Sequence, residues 1–180
     1  MHIYSYYYDS NKIQIITSTI KAANYGVATK ASFTKNEVAC TYEGELVKNN
    51  SANKKKHLHN YYLYEIDEDW LLDGTSVAHF NNPKLATSKG QFINDPIDDQ
   101  LVNFKIKIPH FKKGEIPSNR LLVVCALDKV AKNKEMFISY GAQYWMRPTT
   151  WTLLSEQHKD HFRLNYITDW NVNKKKYNLE

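Results

Sequence analysis

Before residue 148 the apolar residues of this chain fall in short alternating or continuous runs closed by turn signals, with no sustained helical repeat. Runs of that kind suit short strands. Ile13 to Ile20, rich in Ile and Thr, reads as a strand, and Tyr25-Gly26-Val27-Ala28 as a turn into a second. Val38 to Val47 reads as one further strand punctuated by Gly44. Tyr61 to Ile66 reads as a strand with an aromatic face, and Trp70 to Gly74 takes it to a turn. Leu101 to Ile108 alternates cleanly at Val102, Phe104, Ile106 and Ile108, and Arg120 to Ala126 reads as a buried strand. Ser51 to His59 is a lysine-rich helix or loop. Asn81-Asn82-Pro83 is a breaker, Ala86 to Ile93 is at most a short helix, and Pro109 to Asn119 is a loop. From Pro148 the pattern changes: Trp151, Leu154, His158 and His161 or Phe162 fall near helical spacing behind a Pro-Thr-Thr start. Asn171 to Glu180 is polar and reads as frayed. This pattern predicts an irregular, β-rich α+β domain rather than a parallel α/β sheet.

The 180 residues suffice for about one domain. Twenty-four Lys and Arg against 19 Asp and Glu give a formal charge of +5. The excess lies in short blocks such as Lys54-Lys55-Lys56 and Lys174-Lys175-Lys176. Acidic clusters oppose them at Glu65, Asp67, Glu68, Asp69 and at Asp95, Asp98, Asp99. Blocks so short read as solvated surface more readily than as a nucleic-acid patch. The longest apolar run, Leu121 to Leu127, is far below the ~20 residues of a spanning helix, so no membrane partner is expected. The opening MHIYSYYYDS shows neither the basic cluster nor the apolar stretch of a secretory signal. Two cysteines, Cys40 and Cys125, make no disulfide framework, and a reducing intracellular compartment is the default.

The common catalytic signatures are missing: no phosphate-cradling glycine loop, no G-x-S-x-G and no H-E-x-x-H. The pairs His57 with His59 and His158 with His161 lack Cys or carboxylate partners at ligand spacing, so no metal site is read. Cys125 lies in a core strand, where a thiol is inert.

Four spaced segments do carry chemistry. They are Ala23-Asn24-Tyr25-Gly26-Val27-Ala28, Thr41-Tyr42-Glu43-Gly44-Glu45-Leu46, Gln91-Phe92-Ile93-Asn94-Asp95-Pro96, and Glu135-Met136-Phe137-Ile138-Ser139-Tyr140-Gly141 followed by Tyr144-Trp145. In order and spacing they resemble a SET domain, the fold of S-adenosylmethionine-dependent protein lysine methyltransferases, over roughly Ile13 to Trp145. Asp73-Gly74-Thr75 adds to it, resembling the family's D-[AG]-x element. The resemblance implies a β-rich α+β fold of several small sheets with a knot-like C-terminal crossing, plus a C-terminal helix. It also implies a SET domain over residues 1–146 and a helical flank with a polar tail over 147–180.

The resemblance further implies roles, residue by residue. A Gly-x-Gly turn in SET domains lays backbone against the methionine moiety of the cofactor. Here Gly26 is the second glycine and Asn24, which tolerates positive φ, stands at the first; Ala23, Tyr25 and Gly26 then line the cofactor. Asn94 matches the asparagine of the N-H-S motif, with Asp95-Pro96 in place of His-Ser. Gln91 stands where Arg or His is common, and Gln91, Asn94 and Asp95 join the cofactor site. Tyr42 matches the tyrosine of E-Y-x-G-E that lines the lysine channel and serves catalysis; read alone, it is a core aromatic on a strand. Tyr140 matches the D-Y-G tyrosine, with Ser139 replacing the acid, and is assigned to catalysis and cofactor contact. Ile138, Tyr144 and Trp145 line the substrate channel with Tyr42. Ile138 stands two before the site tyrosine, where Phe or Tyr is typical. A hydroxyl there stops the reaction at one methyl, so Ile138 implies further methylation. No cysteine follows Cys125, so the family's zinc segment after Tyr-Gly is missing. The aromatic tail (Tyr144, Trp145, Trp151, Phe162, Tyr166, Trp170) either covers the site or packs as a plain helix.

The implied chemistry asks for little. A neutral amine attacks a sulfonium methyl in line, and catalysis is mostly alignment and electrostatics. A phenol with a pKa near ~10 is a poor base at neutral pH, so Tyr140 orients rather than deprotonates. Desolvation and the sulfonium charge lower the pKa of the lysine. The implied function is protein-lysine N-methylation with S-adenosylmethionine, no metal, and a lysine-bearing protein substrate such as a histone tail, which favours a nuclear or chromatin setting. Secretion as an effector by a non-classical route stays open. The alternatives are a degenerate SET domain serving as a protein-interaction module and a basic nucleic-acid-binding domain, nucleic acid being no direct substrate of the first reading.

Overall fold

A computed structural model describes residues 9–21, 23–56, 60–78, 82–83, 86, 88–108 and 121–177. The chain forms two compact units, Met1–Ile138 and Ser139–Glu180.

The first unit holds three small antiparallel sheets. Strands β1 (Ile13–Thr17) and β2 (Tyr25–Thr29) form one hairpin, with Ile15 opposite Val27. Strands β3 (Val38–Glu43), β8 (Leu121–Ala126) and β7 (Phe104–Lys107) form the second in the order β3-β8-β7. Strands β4 (Glu45–Lys48), β6 (Trp70–Asp73) and β5 (Leu63–Glu65) form the third in the order β4-β6-β5. The single strand expected from Val38 to Val47 is therefore two strands in different sheets. Gly44 is the reason: a Cβ there would lie 2.3 Å from the Asp73 carbonyl oxygen. Only a glycine lets the chain pass that close and change sheets. Trp70 to Asp73, expected as an approach to a turn, is the central strand of the third sheet. Ser51–Lys56 forms a short helix, α1. Gly90–Phe92 is a single 3-10 turn. His57, His59 and the loop from Pro109 to Asn119 lie outside the described residues.

The core sits where the second and third sheets meet. Tyr42, Ile66, Leu72 and Leu122 form one buried cluster, with Leu72 and Leu122 fully inaccessible. Each such leucine contributes roughly 1.5–3 kcal/mol by leaving water. Phe33 and Phe104, also buried, meet edge to face at 5.7 Å. The segment before Ser139 stitches the sheets together through bridges Phe33 with Val130, Ala28 with Glu135 and Asn94 with Phe137.

Cys40 and Cys125 are buried free thiols on β3 and β8. Burial pushes the Cys40 thiol from 9.0 up to about 12, and raises that of Cys125. The folded state thus holds protons that the unfolded chain releases above about pH 9, so stability is full below that pH and falls above it. Between pH 9 and about 12 each unit of pH lowers stability by roughly 1.4 kcal/mol through the Cys40 thiol. Denaturation in urea at pH 8 and pH 10 is expected to show this fall, and Cys40→Ala to reduce it. An equal fall in the variant contradicts the assignment to Cys40.

The second unit is helical. Helices α2 (Ala142–Trp145) and α3 (Pro148–Trp151) are tied by Thr150, whose hydroxyl donates to the Tyr144 carbonyl at 2.5 Å. Helix α4 (Glu156–Asn165) starts afresh at Ser155, whose Oγ accepts the His158 amide. Helix α5 (Ile167–Tyr177) follows directly. One helix from Pro148 and a frayed end were expected. The helix breaks at Thr152–Ser155 instead, and α5 runs through the polar end. Its anchor is Trp170, buried and stacked on Trp151 at 4.8 Å, with the Arg163 guanidinium over both rings.

Candidate active site

Three of the four motif segments meet at Asn94. Its side-chain Nδ2 donates to the Tyr25 carbonyl at 2.8 Å and to Ser18 Oγ at 3.1 Å. Its own carbonyl accepts the Ile138 amide at 3.0 Å. Residues at the first, third and fourth segments are thereby fixed around one half-buried amide. Local structure explains why: the 3-10 turn Gly90–Phe92 releases the chain into an extended Ile93 that lays Asn94 alongside Phe137. Tyr25 is 42% exposed and its ring lies edge-on to Phe92 at 6.2 Å. Asp95 is buried, and its Oδ1 accepts the Ile97 amide at 2.7 Å. Ile97 itself adopts a φ of 64°, a conformation a β-branched residue rarely takes.

The first segment does not rely on a positive φ at Asn24 or Gly26. Among the described residues Gly141 is the one glycine with positive φ, and Asn24 is not among the non-glycine residues that have it. Gly26 is needed for space: a Cβ there would stand 2.3 Å from Glu135 Oε1. Glu135 is buried, accepting the Ser18 hydroxyl at 2.7 Å and the amide and hydroxyl of Thr19 at 2.8 and 2.6 Å. Its own carbonyl accepts from Asn103 Nδ2 at 2.8 Å, and Asn103 Oδ1 accepts the Phe137 amide at 2.8 Å. Ser18, Thr19, Asn103 and Glu135 thus hold the turn before Tyr25. Sequence reading missed them; the one signal was an acid beginning an otherwise apolar segment at Met136.

Tyr42 and Gln91 form a second focus in the same unit. Tyr42 is buried in the core cluster and donates its phenol proton to the Tyr62 carbonyl at 2.6 Å. Burial raises the phenol pKa values of its neighbours Tyr62 and Tyr64. Gln91 Nε2 donates to the Glu43 carbonyl at 2.6 Å. Two glycines make the approach possible. A Cβ at Gly90 would meet the Thr41 carbonyl oxygen at 2.6 Å, and one at Gly74 would touch Tyr42 Oη and Gln91 Cγ, each at 3.0 Å. The Asp-Gly and Gly-Gln pairs of the sequence are therefore packing requirements around Tyr42.

In the second unit, Tyr140, Tyr144 and Trp145 form one half-buried aromatic trio. Tyr140 meets Tyr144 edge-on at 4.8 Å and stacks with Trp145 at 6.0 Å. Gly141, at φ 82°, turns the chain directly after Tyr140. Ile138 closes the first unit and is buried.

The donor set bears on a bound cofactor. Ala23, Tyr25, Gly26, Gln91, Asn94 and Asp95 offer carbonyl, carboxamide and carboxylate oxygens and no cationic side chain. Oxygen-bearing residues without a cation of their own fit a ligand that carries a sulfonium and an ammonium. Among the described residues no three His, Cys, Asp or Glu side chains gather as metal ligands, and no helix is long and apolar enough to cross a membrane.

The SET domain model matches residues 24–141, well over half of the chain. Among solved structures, the humanized mutant of the Chaetomium thermophilum Polycomb Repressive Complex 2 is similar, both bound to the inhibitor GSK126 and bound to GSK343. In each case identity is 18%, the TM-score 0.52, and the match covers 72% of this chain and 15% of that one. The likeness is one of fold. No curated protein matches the chain. The fold is the β-rich α+β SET fold of small antiparallel sheets, and SET domains are in general S-adenosylmethionine-dependent lysine methyltransferases. By the family match and the fold together, the chain belongs to the SET domain family.

Proposed function

We propose that the chain is a protein-lysine N-methyltransferase that takes its methyl group from S-adenosylmethionine. The observation that carries this reading is Asn94, whose side chain and carbonyl hold the Tyr25 and Ile138 segments together. S-adenosylmethionine, when bound, supplies an electrophilic methyl group. Ala23, Tyr25, Gly26, Asn94, Asp95 and Tyr140 hold it, mostly through oxygen atoms. Tyr42 spends its proton on Tyr62, so toward an amine it acts through its oxygen. Its burial keeps the amine's surroundings dry, which favours the neutral, nucleophilic form. Tyr140 orients the amine, with Tyr144 and Trp145 packed on its ring. The catalytic domain runs to residue 146, and 147–180 is its flank. The substrate is a lysine-bearing protein, and exposed Asp98 and Asp99 suit a basic segment such as a histone tail at chromatin.

A calorimetric titration with S-adenosylmethionine tests the reading. Wild-type protein binds, and Asn94→Ala weakens binding at least about tenfold, as expected for two lost hydrogen bonds that fix the Tyr25 turn. No binding by wild type favours the second reading, a SET domain kept as a protein-interaction module. Asp95 favours that one, because its carboxylate is turned onto its own loop at Ile97.

Ile138 sets the extent of methylation. It is buried and carries no hydroxyl to hold a water against the amine. The expected products are di- or trimethyl-lysine, and Ile138→Tyr shifts them toward monomethyl-lysine by mass spectrometry at matched turnover. Strict monomethylation by wild type contradicts this.

A further inference from the structure

Gln91 is only 5% exposed, and its two amide ends fare differently. Nε2 donates to the Glu43 carbonyl at 2.6 Å, whereas Oε1 is buried and has no donor among the described residues. Flipping the amide does not help: it would set two carbonyl oxygens against each other and leave the N–H groups unsatisfied. A buried acceptor without a donor is unfavourable enough that it is rare in native proteins. It persists here in a place shaped with care. The Gln91 stem and the Tyr42 phenol flank the same point above Gly74, where a Cβ would touch both at 3.0 Å. What Oε1 lacks is an N–H or O–H donor, and the described residues do not provide one.

We infer that Gln91 Oε1 is the acceptor for an N–H of a lysine ε-amine, and that Gln91 is a specificity-determining residue that reads how many N–H groups the amine still has. The inference rests on the reading of Tyr42 as a lysine-channel residue. A primary or monomethylated amine satisfies Oε1. A neutral dimethylated amine has no N–H, so its entry leaves the buried oxygen unsatisfied and disfavours the third transfer. Wild type therefore accumulates dimethyl-lysine. Gln91→Met, similar in length and without the acceptor, removes the discrimination.

The test uses two probes with the same charge and butyl stem, n-butylammonium and n-butyltrimethylammonium, titrated into the full chain labelled with nitrogen-15. The side-chain amide resonance of Gln91 is expected to shift with n-butylammonium and not with the trimethyl probe, and the affinities to differ about tenfold, the size of one charge-assisted hydrogen bond. In Gln91→Met the ratio falls toward one. If Gln91 is silent to n-butylammonium, or if the ratio survives in Gln91→Met, the inference is overturned; the wild-type resonance decides even where the variant does not fold. Amine binding of the expected kind without any methyl transfer leaves this inference standing and removes the methyltransferase reading instead.

Discussion

Glu135→Ala is expected to lower the stability of the chain by about 3 kcal/mol, the largest single loss outside the leucine core. The carboxylate accepts three hydrogen bonds from Ser18 and Thr19, and its removal leaves those donors without their partner beneath the Tyr25 turn. Hydrogen bonds to a charged group contribute roughly 1.5–3 kcal/mol each and are not additive within one cluster. Glu135→Gln keeps the shape and an oxygen, so it loses less. Urea denaturation at pH 7 measures both. A loss below about 1 kcal/mol for Glu135→Ala contradicts the role assigned to this carboxylate, judged against the typical effect of an ordinary substitution. The same variant is expected to weaken cofactor binding, because Glu135 and Asn94 fix the same turn from two sides through Ser18.

Tyr140→Phe is expected to keep the fold and most of the cofactor affinity and to lose methyl transfer by on the order of 10²-fold. A single orienting hydroxyl at a transition state contributes a few kcal/mol, as the loss of one oxyanion donor does in other enzymes. The ring contacts with Tyr144 and Trp145 survive the change, so packing in the second unit is not at stake. Labelled-methyl turnover at saturating cofactor reads the effect. Near-normal turnover contradicts the assignment of Tyr140.

Much of the strand order was legible because it lies in local pattern: the alternation from Val102 to Ile108 and the apolar run ending at Ala126 became β7 and β8. The split of Val38 to Val47 was not, because what divides it is the close passage of the Asp73 carbonyl over Gly44, a contact between residues 29 positions apart. Helix α5 was hidden for a similar reason. Its sequence is polar, and one buried tryptophan stacked on Trp151 holds it. In the candidate site the motif residues could be picked out one by one, and Asn94 is the one on which three segments converge. Their supports could not be picked out. Nothing local in sequence links Glu135 to Ser18, Tyr42 to the Tyr62 carbonyl, or Gln91 to that of Glu43. At Gly26 the sequence showed a glycine in a turn, and not the Glu135 carboxylate oxygen that lies 2.3 Å from where its Cβ would stand.

The central claim is methyl transfer to a lysine, and the most direct measurement is incubation of the full chain with S-adenosylmethionine carrying a labelled methyl group, together with a histone panel and a cell lysate. Mass spectrometry then locates the label. Wild-type reactions are expected to yield labelled lysine side chains, rich in the dimethyl form, and Tyr140→Phe at least about tenfold less label. Label absent from every lysine, with cofactor binding intact by calorimetry, would contradict the claim.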